Sequence, residues 1–121
     1  MLGRLNHVAI AVTDLKSATN TYRDILGAKV GEPLDQPEHG VTVVFIELPN
    51  TKVELITPLG EDSPIFNFFN KNKNGGIHHI CYEVKNLDLS MSILTKNNYK
   101  IIGDNPKIGA HGKPVIFLHP S

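Results

Sequence analysis

Apolar and polar side chains alternate along Leu5–Val12. On an extended chain His7, Ala9 and Ala11 point to one face, and Val8, Ile10 and Val12 to the other. The pattern returns 72 residues on, in Gly75–Val84: His79 and Cys81 take the first face, Ile80, Tyr82 and Val84 the second. Both stretches are short, apolar and rich in β-branched residues, and turn or cap residues bound them, so both predict strands. In each, an imidazole stands beside small side chains that leave space around it.

The intervening pattern predicts the remaining elements. Thr13-Asp14 offers a helix cap, Leu15, Ala18, Tyr22, Ile25 and Leu26 follow at helical spacing, and Gly27 closes the helix. Ala28-Lys29-Val30 predicts a short strand. Residues 31–40 predict a loop, because Pro33 and Pro37 oppose regular structure. Val41–Leu48 predicts a strong strand, Pro49-Asn50 a turn, and Lys52–Thr57 a returning strand with Lys52, Glu54 and Ile56 on one face. Residues 59–74 predict a linker whose helix starts at Asp62-Ser63-Pro64 and packs Phe66, Phe68 and Phe69 on the sheets.

The second half then repeats the first. Asn86-Leu87 falls on Asp14-Leu15, Leu89–Tyr99 predicts a helix, Lys100-Ile101-Ile102 a short strand, residues 104–113 a loop, and Val115–Leu118 a strand. The counterpart of the strand bearing Glu54 would centre near position 126, past Ser121. The expected fold class is therefore α+β. Two tandem βαβββ modules (about 1–58 and 75–121, linker about 59–74) form one domain whose curved sheets enclose a cleft, and the second module lacks its last strand.

Composition narrows the partners. A chain of 121 residues is long enough for a real core, and its formal net charge of zero gives no basic footprint for nucleic acid or acidic membranes. Its one cysteine, Cys81, has no partner for an internal disulfide and reads as a small buried strand residue. No apolar run approaches the roughly 20 residues of a membrane span. The opening Met1-Leu2-Gly3-Arg4 runs straight into the first strand, leaving no room for a signal or transit peptide. These features lead to the expectation of a soluble intracellular protein, in a bacterial cytoplasm or, as a mature eukaryotic chain, a mitochondrial matrix.

The first and fourth strands of the modules supply the inward positions, and these carry His7, Glu54 and His79. Two imidazoles and a carboxylate suit a divalent cobalt, manganese, iron, zinc or nickel ion with open positions for oxygen ligands. His78 faces the other way and reads as structural. Glu38, a loop carboxylate that could reach over the mouth of the cleft, is a candidate general base. The stretch Lys107-Ile108-Gly109-Ala110-His111-Gly112-Lys113 combines glycines and cations, a composition that offers free backbone N–H groups and positive charge to an anionic substrate. No P-loop, dinucleotide turn or serine nucleophile elbow is present.

The paired histidine strands resemble the vicinal-oxygen-chelate (glyoxalase/bleomycin resistance) superfamily. Three further segments, Pro37–Val41, Leu59–Ile65 and Lys107–Pro120, resemble its methylmalonyl-CoA epimerase family. The resemblance implies interconversion of the 2R and 2S epimers of methylmalonyl-CoA through an enolate, between propionyl-CoA and succinyl-CoA. It implies a divalent ion, most often Co2+, with Mn2+, Zn2+, Ni2+ and Mg2+ as alternatives, and a homodimer. By the same likeness His7, Glu54 and His79 are metal ligands and Glu38 is one acid/base. Lys107, Gly109, His111, Gly112 and Lys113 lie near the acyl-CoA, and a glutamate on a last strand is a further ligand and candidate second acid/base. Two other readings stay open: a non-catalytic or shortened binding protein of the same fold, and another enzyme of the superfamily such as a glyoxalase-like isomerase.

Overall fold

In chain order the elements are β1 (Leu2–Ala11), α1 (Leu15–Asn20), β2 (Lys29–Val30), β3 (Leu34–Gln36), β4 (Val41–Glu47), β5 (Lys52–Pro58), α2 (Phe66–Lys71), β6 (Gly76–Val84), α3 (Leu87–Lys96), β7 (Ile101–Ile108) and β8 (Pro114–Leu118). The structure is a computed structural model that describes residues 1–110 and 112–118, and of Asp104 the backbone alone. It is a mixed α+β fold. His111, His119 and Pro120, all parts of sequence motifs noted above, lie outside the described residues. Two compact units are formed: Leu5–Tyr82, and Met1–Arg4 together with the chain from Glu83 onward.

The alternating stretches form β1 and β6, neighbours in a sheet of order β2-β4-β5-β1-β6, with β3 also paired to β4. β1 and β5 run parallel, setting His7 beside Lys52 and Ala9 beside Glu54. β4 and β5 run antiparallel, setting Phe45 opposite Glu54. Within the Leu5–Tyr82 unit, one face of the sheet is the core: Val44, Ile46 and Leu55 are fully buried, with Ile10, Val12 and Val53 beside them and Leu15 and Ala18 of α1, and Tyr22 just after it, packed against them. Val44, Ile46 and Leu55 each contribute about 1.5–3 kcal/mol by leaving water completely. Strand alternation sends His7, Ala9, Ala11, Val43, Glu54 and Ile56 to the opposite face, and these are buried too.

α1 starts where the sequence places it, with the Asp14 carboxylate accepting from Ser17 N–H at 3.1 Å. Its end differs: Thr21–Ile25 widen into a π-turn before Gly27. The entry to β6 requires glycine at 75, since φ is +82° and a Cβ there would collide with the Ala11 carbonyl.

Three loop and helix expectations are corrected. Residues 34–36 form β3 against β4; Pro33 and Pro37 flank this strand without interrupting it, so no ladder donor is lost. The linker helix begins at Phe66, after Pro64, with Ile65 at the cap and no side-chain cap bond. The stretch from 104 to 108 is not loop: β7 continues to Ile108. Its pairing with β8 is irregular between Ile102 and Lys107, and Pro106 falls in that irregular stretch, where a missing N–H is tolerated.

In the unit from Glu83 onward, Asn86 caps α3 by accepting from Leu89 N–H at 3.0 Å, as Asp14 caps α1. Among the described residues no helix is long and apolar enough to cross a membrane.

Candidate metal centre

All three sequence-predicted ligands lie in the Leu5–Tyr82 unit and meet. His7 Nε2 and His79 Nε2 are 3.3 Å apart, and each is 3.8 Å from Glu54 Oε1. Those separations define a triangle whose centre is roughly 2.1 Å from every corner, matching the roughly 2.0–2.2 Å of bonds from a transition-metal ion to imidazole nitrogen or carboxylate oxygen. One cation therefore fits all three donors. Among the described residues these form the one group of His, Cys, Asp and Glu with this capacity.

The local sequence explains the convergence. Parallel pairing of β1 and β5 puts Ala9 beside Glu54, so no bulky side chain on β1 fills the space next to the carboxylate. Phe45 stands on the other side of Glu54, and its ring centroid lies 6.0 Å from that of His7, edge to face. Lys52, two residues before Glu54 on the same face, holds its ammonium 5.5 Å from the Phe45 centroid.

Hydrogen bonds set the imidazoles. The Asn6 carboxamide oxygen can only accept, so at 2.7 Å it takes the hydrogen of His7 Nδ1 and leaves the lone pair on Nε2, facing the triangle. His79 Nδ1 lies 2.7 Å from His78 Nδ1, and the His78 ring rests edge to face on Phe68 at 5.1 Å. His78 is exposed and does bond to the site's histidine, a contact that strand alternation alone does not reveal.

Burial tunes the charges. Glu54 is 6 % exposed, and loss of water raises its pKa from 4.5 to about 7, against the smaller opposing pull of the Lys52 ammonium. Burial lowers His79 to about 4, aided by repulsion from His78 and His7. Burial also lowers His78. His79 is thus neutral, as a metal ligand must be, and the carboxyl of Glu54 holds a proton near neutrality that a cation would displace.

The other predicted residues are not in this cluster. Glu38 is exposed in the turn between β3 and β4. That turn is pinned at Gly40, whose carbonyl accepts from Leu59 N–H at 2.8 Å and from the Ser63 hydroxyl. The motifs around Glu38 and around Ser63 are thus in direct contact. Lys107, Gly109, Gly112 and Lys113 belong to the β7–β8 hairpin. The expected free glycine donors are not there: Gly109 N–H donates to the Lys113 carbonyl at 2.8 Å and Gly112 N–H to the Gly109 carbonyl at 3.0 Å. Closing a tight hairpin consumes them, and the exposed Lys107 and Lys113 side chains remain as its cationic feature.

Comparison with known proteins places this geometry in context. Residues 6–117 match the profile of the Glyoxalase/Bleomycin resistance protein/Dioxygenase superfamily. The chain is 61 % identical to the ethylmalonyl-CoA/methylmalonyl-CoA epimerase of Cereibacter sphaeroides, over 99 % of this chain and 90 % of the relative. It is 60 % identical to the mitochondrial methylmalonyl-CoA epimerase of Homo sapiens, over 98 % of this chain and 68 % of the relative. A solved variant of the Streptomyces coelicolor methylmalonyl-CoA epimerase, in complex with 2-nitronate-propionyl-CoA, superposes with a TM-score of 0.91 at 27 % identity, covering 99 % of this chain and 89 % of that one.

Proposed function

This chain belongs to the methylmalonyl-CoA epimerase family of the Glyoxalase/Bleomycin resistance protein/Dioxygenase superfamily, and from that membership we propose that it interconverts (2R)- and (2S)-methylmalonyl-CoA at a centre built on His7, Glu54 and His79. The observation that carries the reading is the triangle of two imidazole nitrogens and a carboxylate oxygen, sized for one ion.

The chemistry suits the substrate. The hydrogen at C2 lies between a thioester carbonyl and a carboxylate. His7, Glu54 and His79 would hold a divalent ion, Co2+ or one of Mn2+, Zn2+, Ni2+ and Mg2+, which would supply Lewis-acid charge to the substrate. The protein's own part is to take the C2 proton, leaving its electron pair delocalised onto the thioester oxygen as an enolate, and to return a proton to the opposite face. Glu38 is proposed as one acid/base, on a turn fixed through Gly40. Lys107, Gly109, His111, Gly112 and Lys113 are proposed to lie near the acyl-CoA, the two lysines attracting its anionic groups.

The finer architecture is proposed in the same terms: one domain of two βαβββ modules, about 1–58 and 75–121, across a linker of about 59–74. The matching caps Asp14 and Asn86, 72 residues apart, support it. A homodimer is proposed as well; Ile80 and Tyr82, each about half exposed on β6, offer apolar surface to a second copy.

Deuterium wash-in at C2 tests the reaction. Co2+-loaded protein in D2O should exchange the C2 hydrogen of methylmalonyl-CoA and scramble its configuration far faster than a protein-free control. Exchange at the control rate with metal bound would point instead to a binding protein.

A further inference from the structure

The residue immediately before each metal-site histidine bonds to the far nitrogen of that histidine. Asn6 Oδ1 lies 2.7 Å from His7 Nδ1, and His78 Nδ1 lies 2.7 Å from His79 Nδ1. Asn6 and His78 are 72 residues apart, as are the two histidines they serve. We propose that Asn6 and His78 are a matched pair of positioning residues: each fixes the tautomer and rotation of one imidazole, turning both Nε2 lone pairs toward Glu54. This rests on the metal-centre reading above and adds to it.

The chemistry decides the roles. A neutral imidazole carries one N–H and one lone pair, and the partner of one nitrogen dictates what the other presents. A carboxamide oxygen has no hydrogen to give, so Asn6 commits His7 outright. With a cation on His79 Nε2, the hydrogen of that ring must sit on Nδ1, and His78 then accepts it on its own Nδ1 lone pair, with its own hydrogen on Nε2. Phe68 sets the plane of the His78 ring, at 71° between ring planes, so that Nδ1 is aimed at its neighbour. A carboxamide and an imidazole thus do one job at equivalent positions. The rival reading is that His78 only packs on Phe68.

Two substitutions separate these readings. H78N copies the arrangement at position 6, keeping an acceptor and discarding the ring; H78F keeps a ring on Phe68 and discards the acceptor. Co2+ affinity and the visible spectrum of the bound ion are the readouts, with metal-free unfolding curves alongside. The expected result is H78N within a few-fold of the parent and H78F weaker by about 10- to 100-fold with an altered spectrum. The reverse order, or H78F binding like the parent, overturns the proposal. If H78F does not fold, H78A replaces it, and equal affinities for H78A and H78N overturn the proposal in the same way. H79A in the same series keeps the two levels apart. If H79A binds Co2+ like the parent, the metal centre itself is wrong; if H79A loses the ion while H78F does not, only the positioning role falls.

Discussion

Ala9 lies directly beside Glu54 across the parallel pair of β1 and β5, two residues along the strand from His7. It is completely buried, so its methyl group sets how much room the carboxylate and imidazole share. Ala9→Leu adds bulk at that point. Overpacking should lower stability by about 1–3 kcal/mol, and Co2+ affinity should fall further than this strain explains. Ala9→Gly, which keeps the space open, should retain the ion. Parallel urea unfolding and metal titration check both; an Ala9→Leu variant binding Co2+ like the parent would show that the space beside Glu54 is not used.

Glu54 gives a pH dependence whose sign follows from its burial. In the metal-free protein its carboxyl titrates at about 7, against 4.5 when unfolded. Between those values the folded state holds a proton that the unfolded state has released. The contribution of Glu54 is therefore complete below pH 4.5 and is lost as pH rises through 7. Glu54→Gln removes this loss, so in chelator at pH 8 it should be more stable than the parent by about 1–3 kcal/mol, with the difference vanishing near pH 4. His79 acts in the opposite sense. Its pKa falls from 6.5 to about 4, so its contribution is complete above 6.5 and is lost as pH falls through 4. Urea curves from pH 4 to 8 test the pair.

The same titration governs loading. A metal needs the Glu54 carboxylate ionised, so below pH 7 each ion bound should release a proton, and apparent affinity should fall by up to about tenfold per pH unit. Calorimetry in buffers of different ionisation enthalpy counts that proton. Glu54→Gln should bind more weakly and show none of it.

Substitutions at Glu38 and Gly40 test whether catalysis and metal binding separate. Glu38→Gln should cut C2 exchange by about 10²- to 10⁴-fold while leaving Co2+ affinity unchanged. Gly40 has φ +67°, and a Cβ there would sit 3.0 Å from Pro64 Cδ. Gly40→Val should cost about 1–2 kcal/mol for the left-handed backbone, displace the turn that carries Glu38, and lower exchange with little effect on metal. Loss of metal in either variant would reassign the turn from chemistry to the fold.

Much of the centre is legible in the sequence because a strand has a strict period of two. Once the repeat aligns His7 and His79, parity places them on one kind of face, and parity along β5 places Glu54. Parity also hides something: it sends residues 6 and 78 to the face opposite their neighbours, so it gives no sign of their bonds to His7 and His79. The repeat itself holds the clue, since Asn6 and His78 are aligned whenever His7 and His79 are. β3 reads as loop because proline opposes a ladder, whereas Pro33 and Pro37 only flank a strand. The later half of β7 reads as loop because the repeat aligns it with residues 31–40, and the repeat does not show that β7 runs on through the irregular ladder at Pro106. The glycine donors of the β7–β8 hairpin are misjudged because composition does not show which N–H groups a turn will use. The residues that supply or receive the C2 proton are reached by family likeness, and they come to this chain as proposals.

The most direct test of the central claim is the anomalous scattering of cobalt in crystals of the Co2+-loaded protein. A single strong peak within bonding reach of His7 Nε2, His79 Nε2 and the Glu54 carboxylate is the predicted result. A fully loaded protein whose cobalt lies elsewhere, or is bound by fewer than all three, would contradict it.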